Sequence, residues 1–257
     1  MQANPSLTNP GHAASAGTPL NAAPGRRVTD APTRAFHWLF ALCFAGAYLT
    51  ADGERWRLLH VMLGYTFIGL LAFRMGYALF GPRQASLAVL WRKLAGTPDW
   101  VRSTAGKLRT GALSSVNFNQ GGNLLMALAI VLLLALVVPL TLSGYATYDE
   151  WGGDWLENVH EFFGNAMLTV VLVHLALIAA LSVLRKKNVA LPMWSGRVKG
   201  AGPDLVQKNR SWLAALLLAA VFAFWVWQWQ QSPRGLLADK AVSSEKSSRH
   251  HNDHHRR

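Results

Sequence analysis

Five apolar runs, each close to the length of a bilayer crossing, leave this 257-residue chain few folds to choose from. They read "AFHWLFALCFAGAYLT" (35–50), "LLHVMLGYTFIGLLAFRMGYALF" (58–80), "NLLMALAIVLLLALVVPLTLSG" (123–144), "ENVHEFFGNAMLTVVLVHLALIAALSVL" (157–184) and "SWLAALLLAAVFAFWVWQW" (211–229). About 20 residues of helix cross a hydrocarbon core. The first run is short for that length and the third is the cleanest. In lipid the backbone has no water to bond, so such runs must be helical. Pro139 is expected to kink the third helix rather than end it, and the Trp cluster of the fifth is expected at a membrane interface. The fold class expected is an all-α integral membrane protein: a four-helix transmembrane bundle plus a fifth C-terminal helix.

The net charge of +12 would suit a nucleic-acid binder if the cations formed one face. They lie between the runs instead. Arg26, Arg27 and Arg34 precede or open the first; Arg83, Arg92, Lys93, Arg102, Lys107 and Arg109 separate the second and third; Arg185 to Lys187, Arg197, Lys199, Lys208 and Arg210 separate the fourth and fifth. The remaining loops are mixed ("ADGERWR") or acidic ("YDEWGGDWLEN"). The positive-inside rule places the N-terminus and basic loops in the cytoplasm, and five spans place the C-terminus in the periplasm. Membrane lipid, not nucleic acid, is the expected surrounding.

The organisation read from this pattern is a disordered leader (1–26), a four-helix domain (27–185), a basic loop (186–210), a fifth helix (211–230) and a disordered His-rich tail (231–257). The leader lacks the apolar core of a signal peptide. The tail, "RHHNDHHRR", reads as a disordered terminus or a weak divalent-metal site. Cys43 is the single cysteine, which excludes an internal disulfide, a thiolate cluster and a CxxCH attachment site. Any haem must be held non-covalently.

Four histidines fall in or at the edge of the spans: His37, His60, His160 and His174. A polar ring in hydrocarbon is costly and needs a partner. His160 and His174 are fourteen residues apart, which is about 21 Å along a helix and within about 40° of the same direction. With antiparallel neighbours, His60 falls at the level of His160, and His37 at that of His174. Two bis-histidine sites stacked across the membrane result, and neutral imidazoles in a helix bundle are suitable axial ligands for iron. A lone histidine in a span is more often a structural or proton-handling group; two pairs at matching depths point to haem. Zinc would need more ligands at each level.

Arg74 follows His60 by the same fourteen residues, and a buried arginine needs an anion such as a haem propionate. Arg34, one turn before His37, and Arg55 or Arg57 are further candidates. Gly46, Gly64, Gly69 and Gly164 either let a flat macrocycle approach or are ordinary small residues at helix contacts. Tyr65, Asp149 and Glu161 read either as proton-handling or as plain structural residues.

The segments "RVTDAPTRAFHWLFALCFAGAYLT", "LLHVMLGYTFIGLLAFRMGYALFGPR" and "SGYA…WLENVHEFFGNAMLTVVLVHLAL" resemble the bacterial cytochrome b561 family, which includes the b-type cytochrome subunits of nickel–iron hydrogenases. The resemblance covers about Arg27 to Leu184. It implies a cytoplasmic-membrane protein with four core helices and two b haems, whose ligands fall on His37, His60, His160 and His174. The function implied is electron transfer across the inner membrane in a respiratory chain. The electrons would pass between quinone and a partner such as a hydrogenase, a dehydrogenase or a cytochrome c. The acidic loop between the third and fourth helices would suit a basic partner. The fifth helix and the His-rich tail depart from the simplest members. The non-redox alternative is a membrane scaffold or transporter with proton-relay histidines, and no internal repeat supports a transporter.

Overall fold

A computed structural model describes residues 25–82, 86–110, 117–200 and 202–231. Most of the leader and the tail with its histidine pairs lie outside the described residues. The elements in chain order are β1 (Arg26–Arg27), α1 (Ala31–Leu49), a single 3-10 turn (Glu54–Trp56), α2 (Arg57–Phe80), α3 (Leu87–Ala95) and α4 (Thr97–Arg109). They continue with α5 (Phe118–Tyr148), α6 (Trp155–Leu184), α7 (Leu191–Ser195), β2 (Arg197–Val198) and α8 (Ser211–Gln231).

Among the described residues, four helices are long and apolar enough to cross a membrane: α2, α5, α6 and α8. The 19-residue α1 is not among them, because its first turns carry Thr33, Arg34 and His37. It begins at a strong start signal, Asp30 followed by proline in the first turn, and the Asp30 carboxylate accepts from the Thr33 N–H at 3.2 Å. Pro139 lies inside α5, which runs unbroken through it to Tyr148.

The helices form two closely packed groups. α6 lies along α5, while α1 lies along α2 and α8, and α2 touches α5. Backbone approach between α6 and either α1 or α2 is sparse by comparison. Side chains bridge that gap, as where the Tyr48 hydroxyl donates to Asn165 Oδ1 at 3.4 Å. The core joins Phe36, Cys43, Phe67, Leu70, Val137, Met167 and Val221 from α1, α2, α5, α6 and α8. Phe40 and Phe67 stack with centroids 4.0 Å apart.

Three local structures fall in stretches whose composition reads as loop. The short helices α3 and α4 follow α2. After α6, residues 191–200 and 202–206 fold back on the start of the chain: β2 pairs antiparallel with β1, Val28 N–H donates to Gly196 O at 2.9 Å, and Leu205 N–H donates to Arg27 O at 2.9 Å. Gly196 turns the chain at φ 75°, and a Cβ there would stand 2.9 Å from Thr29 O, so both conformation and space require glycine.

Candidate haem-binding site

The sequence pattern brings polar rings into apolar helices, and the fold determines whether they meet. His60, in the first turn of α2, and His160, in the second turn of α6, do. Their ring centroids are 5.9 Å apart and their planes lie at 85°. His60 Nδ1 donates to Ala47 O of α1 at 2.8 Å, and His160 Nδ1 donates to Leu140 O of α5 at 2.9 Å. A carbonyl oxygen only accepts, so Nδ1 carries the proton in both rings. In a neutral imidazole Nε2 then keeps its lone pair. A backbone carbonyl that fixes the tautomer is the usual support of a metal-binding histidine.

The spacing of the rings can be checked against that use. With metal–nitrogen distances of about 2 Å, two imidazoles on opposite sides of one ion have centres about 6 Å apart. The observed 5.9 Å fits. Glycine makes further room. A Cβ on Gly144 would lie 2.7 Å from the Cε1 of His160, so no larger residue is compatible with this ring position. Gly64 and Gly164 each lie one turn beyond their histidine. A Cβ on Gly64 would meet nothing within 4 Å, and one on Gly164 would just reach Leu140. Neither glycine is closed in by a neighbouring side chain.

His37 of α1 and His174 of α6 make the second level. They lie within electrostatic reach of each other, without the ring contact seen between His60 and His160. The Nδ1 atoms of both are buried and have no hydrogen-bond partner in the protein. An unsatisfied buried polar group costs about 1–3 kcal/mol, and each ring at this level carries one. Among the described residues, no cluster of three or more His, Cys, Asp or Glu side chains comes together. Two imidazoles at a level are too few to hold a bare metal ion by themselves and would suit an iron that brings further ligands of its own. Met167, midway between His160 and His174 on α6, is 1% exposed.

The arginines divide. Arg74 lies in the field of Asp30. That carboxylate is 2% exposed, caps α1 and accepts a short hydrogen bond from the Tyr77 hydroxyl, to which Arg210 donates at 3.4 Å. Asp30 is the residue that sequence reasoning missed at this level. Its signal was present as an acid directly before "APTR", where a helix N-cap is expected. Arg34 donates to Trp194 O at 3.0 Å, and its Nε is buried without a partner. Arg55 and Arg57 lie against Trp56 and Tyr148. At the end opposite the basic loops, Tyr145 and Tyr65 both lie within electrostatic reach of Asp149. Glu161 is exposed. Gly46 packs against Leu63 and Gly69 has open space around it.

The family model described as prokaryotic cytochrome b561 matches residues 28–196, more than half of the chain. The chain belongs to the prokaryotic cytochrome b561 family. It is a multi-pass bacterial membrane protein, and b561 cytochromes bind haem b and transfer electrons. The match begins at Val28, just ahead of Asp30, and ends at Gly196, so it takes in both histidine levels and α7 but not α8. No curated protein and no solved structure matches the chain.

Proposed function

We propose that this b561 cytochrome carries two b haems, one between His60 and His160 and one between His37 and His174, and conducts electrons between the two faces of the cytoplasmic membrane. The observation that carries this reading is the His60–His160 pair: two rings 5.9 Å apart, each with Nδ1 committed to a helix carbonyl. The haems supply one-electron chemistry. The protein holds the tautomers of His60 and His160 and, with Met167, Phe67 and Leu70 buried between the levels, keeps water from that space. At the second level Arg34 is the propionate partner with a free Nε, and Arg74 shares its charge with Asp30.

α1 crosses the membrane with α2, α5, α6 and α8, giving five spans. The basic loops and N-terminus are cytoplasmic, and the chain beyond α8 is periplasmic. Electrons pass between the quinone pool and a redox protein, which is a hydrogenase, a dehydrogenase or a cytochrome c. A basic soluble partner is favoured at the periplasmic end. There Asp149, Glu150, Asp154 and Glu157 are exposed beside Trp151 and Trp155, close to His160 in sequence.

Proteoliposomes with ferricyanide trapped inside test the transmembrane step. An impermeant reductant added outside should bleach the trapped ferricyanide with wild-type protein and not with His160→Ala. Equal bleaching by both would exclude conduction through this pair.

A further inference from the structure

The segment between α2 and α5 does more than connect them. α3 starts at Ser86, whose Oγ accepts from the Ala88 N–H at 3.2 Å. Every residue of "LAVLWRKLA" is apolar except Arg92 and Lys93, which are adjacent and so share one arc of the helix. α3 packs against α5. With α2 and α5 it encloses an almost wholly apolar groove of about 500 Å³, lined by Leu71, Met75, Trp91, Val131, Leu134 and Val138. Trp91 is 73% exposed and Val138 46% exposed. α4 is anchored beside it: Trp100 Nε1 donates to Asn117 O at 3.4 Å, and its ring lies against Gly121 of α5. Arg92, Arg102 and Arg109 are all exposed, and the only acid in the two helices is Asp99.

An apolar groove between membrane helices faces acyl chains. An amphipathic helix with a tryptophan and a basic arc lies at the boundary of headgroup and chain. We propose that the groove between α2, α3 and α5 is a binding site for an anionic phospholipid of the surrounding leaflet. One acyl chain lies against Val131, Leu134 and Val138 under Trp91, and the headgroup lies against Arg92, with Arg102 and Arg109 supplying further positive potential. A neutral lipid or the tail of a neutral quinone would fill the groove but gain nothing from this basic rim.

Native mass spectrometry of the full-length protein tests this, after delipidation and reloading with equal amounts of phosphatidylglycerol and phosphatidylcholine. Wild type should retain phosphatidylglycerol preferentially. Arg92→Gln should lower that preference about fivefold, the effect of one basic residue near an anionic surface. Val138→Trp, which plugs the groove, should remove the retained lipid. An unchanged haem spectrum in both variants shows that they are folded. Equal retention of the two lipids, a retained mass matching a quinone, or retention indifferent to both substitutions would overturn the proposal.

Discussion

His60 and His160 come from helices that hardly touch through their backbones, yet their rings stand 5.9 Å apart, each tied through Nδ1 to a carbonyl of a third or fourth helix. Four helices thus fix one pair of nitrogens. Replacing His160 by Ala removes one nitrogen and leaves the His37–His174 level intact. The expected result is a fall from two haems to one per chain in a pyridine haemochrome assay, with a single redox wave remaining. Two haems in the variant would show that the rings meet for another reason.

Gly144 is a sharper probe, because it changes no ligand. Alanine has the better helix propensity by up to about 1 kcal/mol, so Gly144→Ala should not weaken α5. Its Cβ would lie 2.7 Å from His160 Cε1 and force the ring to shift. Overpacking of this kind costs about 1–3 kcal/mol. Haem occupancy at this level should drop while far-UV circular dichroism stays unchanged. Full occupancy with an unshifted potential would mean that the ring moves freely.

Asp30 holds together the start of α1, Tyr77 and Arg74 of α2, and Arg210 before α8. Asparagine caps a helix as well as aspartate does, so Asp30→Asn isolates the charge. Asp30 is buried, so the lost charge weakens its hydrogen bond from Tyr77 and its attraction to Arg74 without a change in shape. The melting temperature in detergent should fall by several degrees, and Asp30→Ala should lower it further through the lost cap. An unchanged melting temperature in Asp30→Asn would show that Arg74 does not depend on this carboxylate.

Gly196 places the loop after α6 against the first residues of the bundle. Gly196→Ala at φ 75° costs about 1–2 kcal/mol in conformation, besides the 2.9 Å approach to Thr29 O. The β1–β2 pairing should loosen, so limited proteolysis within 197–206 should be faster than in wild type. Haem content should remain, since none of the four histidines lies on that segment. Unchanged proteolysis would mean that the pairing is held by Asp204 and Arg197 contacts alone.

The sequence carried the long elements well, because unbroken apolar runs admit one secondary structure in lipid. Helices α2, α6 and α8 begin and end within a few residues of the runs that announce them. The stacking of His160 above His174 follows from helix geometry alone. Asp30 was harder to see, since one acid before a helix reads as a cap and its tertiary partners, Tyr77 and Arg74, are 47 and 44 positions away in sequence. The tautomers of His60 and His160 depend on carbonyls of Ala47 and Leu140, and a backbone acceptor has no side-chain signature. The pairing of residues 26–27 with 197–198 was invisible for the same reason: two-residue strands have no periodicity to read.

The pairing of His60 with His160 and of His37 with His174 underlies the proposed electron path. It is tested most directly by haem quantitation with a redox titration of purified wild type, His160→Ala and His174→Ala. Two haems per chain and two one-electron waves are expected in the wild type, and one of each in either variant, with a different wave surviving in each. A wild-type protein with a single haem, or variants that lose the same wave, would contradict it.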